Sequence, residues 1–98
     1  MPKPGWTFLT NHAQVLLCVA SNDHLTAREI AGVVGVTERA IQRILSDLEE
    51  TGYIQRMREG RSNRYRIHLD QPLRHPAQHG QQVHDLLTLL PAHESNVQ

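Results

Sequence analysis

Ninety-eight residues, 39% of them hydrophobic and only 4% aromatic, suffice for one domain with a modest core of Leu, Ile, Val and Ala. Ten basic residues balance ten acidic ones, so the chain as a whole is no polycation, and any nucleic-acid reading must come from where the charges sit. The single cysteine, Cys18, excludes a disulfide framework or a cysteine-based zinc site within one chain, and no stretch approaches the roughly 18 apolar residues of a membrane span.

The chain opens on an extended arm, residues 1–9, with two prolines and a glycine before Phe8. Trp6 and Phe8 are costly to leave in water and are expected to dock on the body or on a second subunit. No continuous apolar run marks a signal peptide, so the expected compartment is the cytoplasm, by elimination. Asn11-x-x-Gln14 begins a first helix running to about Ala20. Its stripe is Ala13, Leu16, Leu17 and Ala20, widened by Val15, Cys18 and Val19, which predicts burial against more than one neighbour and a buried thiol. Ser21 to His24 is a turn cluster. Leu25 is either a hydrophobic staple or one residue of a short third strand.

Thr26 and Glu29 form a capping box that starts a second helix with Ala27, Ile30, Ala31 and Val34 on one face. Gly35 stands where a residue must take positive φ, and Val36 packs the turn. Thr37 caps a third helix whose apolar face is Ala40, Ile41, Ile44, Leu45 and Leu48, ending near Thr51-Gly52. A small residue where two helices cross (Ala31), a turn glycine four positions later, and apolar residues pinning both helices together make a helix-turn-helix. The competing reading is an ordinary helical hairpin packed for stability.

The period then changes. Ile54–Arg58 and Arg64–Leu69 are predicted strands, the second with Tyr65, Ile67 and Leu69 inward, joined by a hairpin loop over Glu59–Asn63. Between Ile54 and His68, Arg56, Arg58, Arg61, Arg64 and Arg66 face only Glu59, while Asp47, Glu49 and Glu50 lie at the end of the third helix. A helix-turn-helix followed at once by a basic hairpin is a winged helix. The predicted fold is therefore mainly α with a small β-hairpin, over residues 10–70. Two prolines make 71–79 a linker, and 80–98 supply an additional C-terminal helix and tail. There Val83, Leu86, Leu87 and Leu90 form a stripe ended by Pro91. So short a helix is marginal alone, and with Trp6 and Phe8 these four residues are the expected dimer contacts.

On the third helix, Thr37–Thr51, the side away from the apolar face carries Glu38, Arg39, Gln42, Arg43 and Ser46. A helix fits the major groove of duplex DNA, where Arg pairs with guanine, Gln with adenine, and Ser more readily with backbone. The wing, Glu59–Arg64, with Arg58 at its base and Arg61, Asn63 and Arg64 about its tip, suits a narrow minor groove or adjacent phosphates. Against these stand blander roles. Glu38 favours the helix N-terminus, Arg39 and Arg43 can pair with Glu38 or Asp47, and a charged hairpin blocks edge-to-edge aggregation.

These residues resemble the winged-helix transcription regulators of bacteria and archaea, of the broad MarR/ArsR type. The resemblance covers nearly the whole chain and is strongest from Val36 to Ile67, in the helix-end junction Leu48–Ile54 and the wing Gly60–Tyr65. It implies a homodimer that binds a pseudo-palindromic operator and usually represses transcription. The chain is shorter than a full MarR protein and lacks the paired cysteines with which many ArsR proteins bind metal.

Seven histidines raise a metal-responsive alternative, with His84 and His93 beside Asp85 and Glu94 as its candidate ligands and His75 and His79 nearby. The blander reading is exposed polar histidines near a tail, so no metal or other cofactor is expected. No nucleophile–base set, Gly-rich phosphate loop or carboxylate pair suggests an enzyme. The remaining rival is a winged helix that binds protein. No small-molecule effector is identifiable.

Overall fold

Local capping sets the helices. The computed structural model describes residues 5–60 and 62–88. Helix α1 (Asn11–Ser21) is capped by Thr10, whose hydroxyl accepts from the Ala13 amide at 3.1 Å. Helix α2 (Ala27–Val34) carries the complete box: the Glu29 amide donates to Thr26 Oγ1 at 3.1 Å, and the Thr26 amide to Glu29 Oε1 at 2.8 Å. Gly35 closes α2 at φ 87°, its amide donating to the Ala31 carbonyl at 2.8 Å. Thr37 then caps helix α3 (Glu38–Glu50) by accepting from the Ala40 amide. These caps satisfy amides that no helical carbonyl can reach.

The core gathers Val15, Leu16 and Val19 of α1, Ile30 and Ala31 of α2, and Ile41, Ile44, Leu45 and Leu48 of α3. Ala31 is 8% exposed, as a close helix crossing requires. The α1 stripe departs from expectation. Ala13, Leu17 and Cys18 are only half-buried and Ala20 is exposed, because the body lies on the Val15–Val19 side. Burial still pushes the Cys18 thiol pKa up. Leu25 packs against the core immediately before the α2 cap, the position of a staple, and among the described residues there is no third strand.

Strands β1 (Ile54–Glu59) and β2 (Ser62–Ile67) pair antiparallel from Ile54↔Ile67 to Glu59↔Ser62. The second strand therefore starts two positions earlier than its apolar alternation suggests, and polar residues at the wing's outer end join the ladder. Tyr65 is buried and Ile67 half-buried, but Leu69 lies past the strand, 46% exposed.

The segment expected as a linker is tied to the body. Tyr53 Oη donates to the Pro72 carbonyl at 2.7 Å, Gln71 Nε2 to the Thr51 carbonyl at 3.2 Å, and the Leu73 amide to the Gln81 carbonyl at 3.0 Å. Burial raises the Tyr53 phenol pKa, against an opposing pull from the Arg74 guanidinium. After a 3-10 turn at Pro76–Gln78, the Val83 and His84 amides donate to the carbonyls of Gln71 and Leu69. Helix α4 (Val83–Thr88) follows. Val83, expected at a dimer contact, is 0% exposed within its own chain. The backbone bonds at Leu69 and Gln71 draw it into the intramolecular core, so it has no surface left for a partner.

Candidate nucleic-acid interface

Helix α3 divides cleanly. Ile41, Ile44, Leu45 and Leu48 are buried on one side, while Glu38, Arg39, Gln42 and Arg43 are exposed on the other and Ser46 is half-buried at its margin. The 3.6-residue period sets Arg39 and Arg43 one turn apart on the same face. Among the described residues neither arginine has an ion-pair partner. Asp47, the expected alternative partner of Arg43, instead accepts from His12 Nε2 of α1 at 2.8 Å. Their guanidinium groups, with the Gln42 amide, thus face solvent from a helix fixed on its other side by four buried residues.

The wing's arginines fare differently. Arg56 donates through Nη2 and Nε to Glu49 Oε1 of α3, at 3.1 and 3.3 Å, which ties the wing's base to the end of that helix. Arg64 Nη2 donates to Asp23 Oδ2 in the α1–α2 turn at 3.2 Å, and Nη1 to Glu59 Oε2 at 3.5 Å. The hydrogen bond to Asp23 and the charges of both carboxylates push the Arg64 pKa further above its ordinary value. Arg58 is exposed and donates from Nε to the Gly60 carbonyl at 3.2 Å within the wing. Asn63 is half-buried and Arg66 exposed. Arg61 lies outside the described residues, as do Leu90 and His93. Arg64, expected among the DNA contacts, is thus already paired with two acids.

Sequence spacing did not disclose these pairings. His12–Asp47 and Asp23–Arg64 join residues 35 and 41 positions apart, and no local pattern marks them. Of the expected dimer contacts, Trp6 and Phe8 are 70% and 91% exposed. They stack edge to face on each other, with ring centroids 5.0 Å apart, and not on the body. Leu86 and Leu87 are half-buried. His84 is exposed, and among the described residues no three His, Cys, Asp or Glu side chains converge as a metal site would require.

The profile of the sugar-specific transcriptional regulators called TrmB matches residues 8–68, which include all of the helix-turn-helix and both strands. The chain belongs to the TrmB family. The resemblance to winged-helix regulators is thereby narrowed to one family of them. This TrmB-family chain is 30% identical over 60 residues to the uncharacterized protein MJ1254 of Methanocaldococcus jannaschii, a match covering 60% of the chain but 13% of that protein. The chain thus corresponds to only a small part of that relative's length.

Its fold is also found in MepR, a transcription regulator of the Staphylococcus aureus multidrug efflux pump MepA. That TM-score is 0.53 at 18% identity, over 88% of this chain and 55% of MepR. The PcaV transcriptional regulator of Streptomyces coelicolor, solved with its natural ligand, gives 0.54 at 20% identity, over 91% of this chain and 67% of PcaV. The architecture is a winged helix, and both the family and these structural neighbours are transcription regulators, not enzymes. No described helix of the chain is long and apolar enough to cross a membrane.

Proposed function

We propose that this TrmB-family chain binds duplex DNA sequence-specifically, with α3 in the major groove and the wing on the adjacent minor groove or backbone. The observation that carries this reading is the solvent-facing set Arg39, Gln42 and Arg43, exposed on the outer face of the helix and, among the described residues, outside every ion pair. A helix of this kind meets base edges with its N-terminal half. Ser46, at the margin, suits a backbone contact. On the wing, Arg58, Arg61 and Asn63 take the phosphate or minor-groove role, with Arg58 the exposed cation nearest the described tip.

Two copies reading a pseudo-palindromic site fit this geometry, and we assign their contact to Trp6, Phe8, Leu86, Leu87 and Leu90. Its support is the aromatic pair left in solvent, together with a cleft of about 390 Å³ on the body whose lining mixes Leu16, Leu48, Leu73 and Leu86 with His12 and Asp47. Two exposed aromatic rings are expensive in water and are common anchors at interfaces. A dimer occupying both grooves of an operator excludes other proteins from it, so repression is the expected outcome.

Selection of duplexes from a random pool by the purified chain tests the reading. It predicts enrichment of one half-site sequence, arranged as an inverted repeat, with strongly salt-dependent affinity. Arg61→Ala should weaken binding to all sequences alike and lower the salt slope by about 1. A pool that emerges unenriched, with salt-insensitive binding, would favour a protein-binding winged helix. Sedimentation as a monomer well above micromolar concentration would remove the dimer.

A further inference from the structure

We propose that Arg64 is a positioning residue and not a DNA contact: through Asp23 it fixes the angle of the wing against the helical body. This rests on the DNA-binding reading and concerns how the wing is presented to the groove.

The wing outward of the Arg56↔Tyr65 pair consists of three register pairs: Met57↔Arg64, Arg58↔Asn63 and Glu59↔Ser62. Among Met57, Arg58, Glu59, Asn63 and Arg64, the described side chains of these pairs, the Arg64–Asp23 bond is the only hydrogen bond to the helical body. The other polar ties, Arg56 to Glu49 and His68 Nδ1 to the Gly52 carbonyl, lie at the wing's base. A two-stranded hairpin has little rigidity of its own, so its far half swings unless something outside it holds on.

The anchor is itself held. Asp23 Oδ1 lies 2.9 Å from His24 Nδ1, and Asn22 Oδ1 accepts the His24 amide at 3.0 Å, so the turn carrying Asp23 is cross-braced. Charge points the same way. Arg64 stands between Asp23 and Glu59, so the trio is net negative, and a phosphate brought to it would meet more acid than base.

The clamp gives a prediction opposite in sign to simple electrostatics. Removing an acid from a DNA-facing surface ordinarily tightens binding to a polyanion. With the clamp, Asp23→Asn should weaken binding of the full chain to its selected duplex about 3- to 10-fold, the cost of ordering a loosened wing at each binding event. The slope of log affinity against log salt should not change, because no phosphate contact is lost. Arg64→Gln should give the same loss at the same slope, and the double variant should be no weaker than either single one. Exchanging the charges, Asp23→Arg with Arg64→Asp, should restore most of the affinity. In the free protein, Asp23→Asn should speed amide exchange at Met57 and Arg64, whose register pair lies in the outer wing, while circular dichroism stays that of the wild type.

Asp23→Asn binding as tightly as wild type or tighter would overturn the clamp. So would a salt slope reduced by about 1 in Arg64→Gln, the mark of a lost phosphate contact. A wild-type chain that binds no duplex at any salt would remove the DNA-binding reading, and the clamp's role with it. The two failures are thus distinct.

Discussion

The outer face of α3 and the wing carry the same kind of side chain to opposite ends. On α3 the arginines stand on a helix whose far side is buried, and Asp47, one turn beyond Arg43, is bonded to His12. On the wing, Arg56 and Arg64 are taken up by Glu49, Asp23 and Glu59. Under the proposed function, an arginine is a reader or a strut according to which carboxylates the fold brings beside it. Counting basic residues along the hairpin overstates its free charge. Among the described residues Arg39 and Arg43 of α3 stand outside every ion pair, whereas Arg56 and Arg64 of the wing do not.

The largest effect should come from the buried side of α3. Leu45 is fully enclosed, so Leu45→Ala should cost about 2–5 kcal/mol through lost burial and the cavity left behind. Chemical denaturation measures that loss, and DNA binding should fall with it because α3 loses its platform. Arg43→Ala, on the exposed side of the same helix, sharpens the contrast. Stability should stay within about 0.5 kcal/mol of wild type, while discrimination between selected and altered half-sites falls by about 1–3 kcal/mol. Unchanged discrimination in competition binding would break the division of α3 into a packed side and a reading side.

A smaller effect is expected where the two regions join. Gly52 has φ 87°, and a Cβ there would stand 3.3 Å from Gln71 Nε2, itself bonded to the Thr51 carbonyl. Gly52→Ala should lower stability by about 1–2 kcal/mol, the cost of a left-handed conformation for an L-residue. Urea denaturation tests this, and a fully stable variant would mean that the junction can relax. The smallest effect belongs to a strut. Arg56→Gln removes a surface pair with Glu49 and should change stability by about 0–1 kcal/mol. Unlike a phosphate-contacting arginine, it should leave the salt slope of DNA binding unaltered. A slope lowered by about 1 would move Arg56 into the reading class and erase the contrast drawn here.

Much of the fold follows from neighbours along the chain. Thr26 with Glu29, Thr37 with the Ala40 amide, and Gly35 at positive φ act within a few residues of one another. The hydrogen bonds that start and stop α2 and α3 are thus written in adjacent positions. The same holds for the exposure of Arg39, Gln42 and Arg43, since a 3.6-residue period that buries Ile41, Ile44 and Leu48 leaves them no other side. What lies beyond that range was settled by tertiary contact. Only the folded chain brings Asp23 to Arg64 and His12 to Asp47, draws Val83 into the core, and leaves Trp6 and Phe8 in solvent. Such contacts join residues tens of positions apart, and no periodicity or cap encodes which distant partner a charged or apolar side chain will meet.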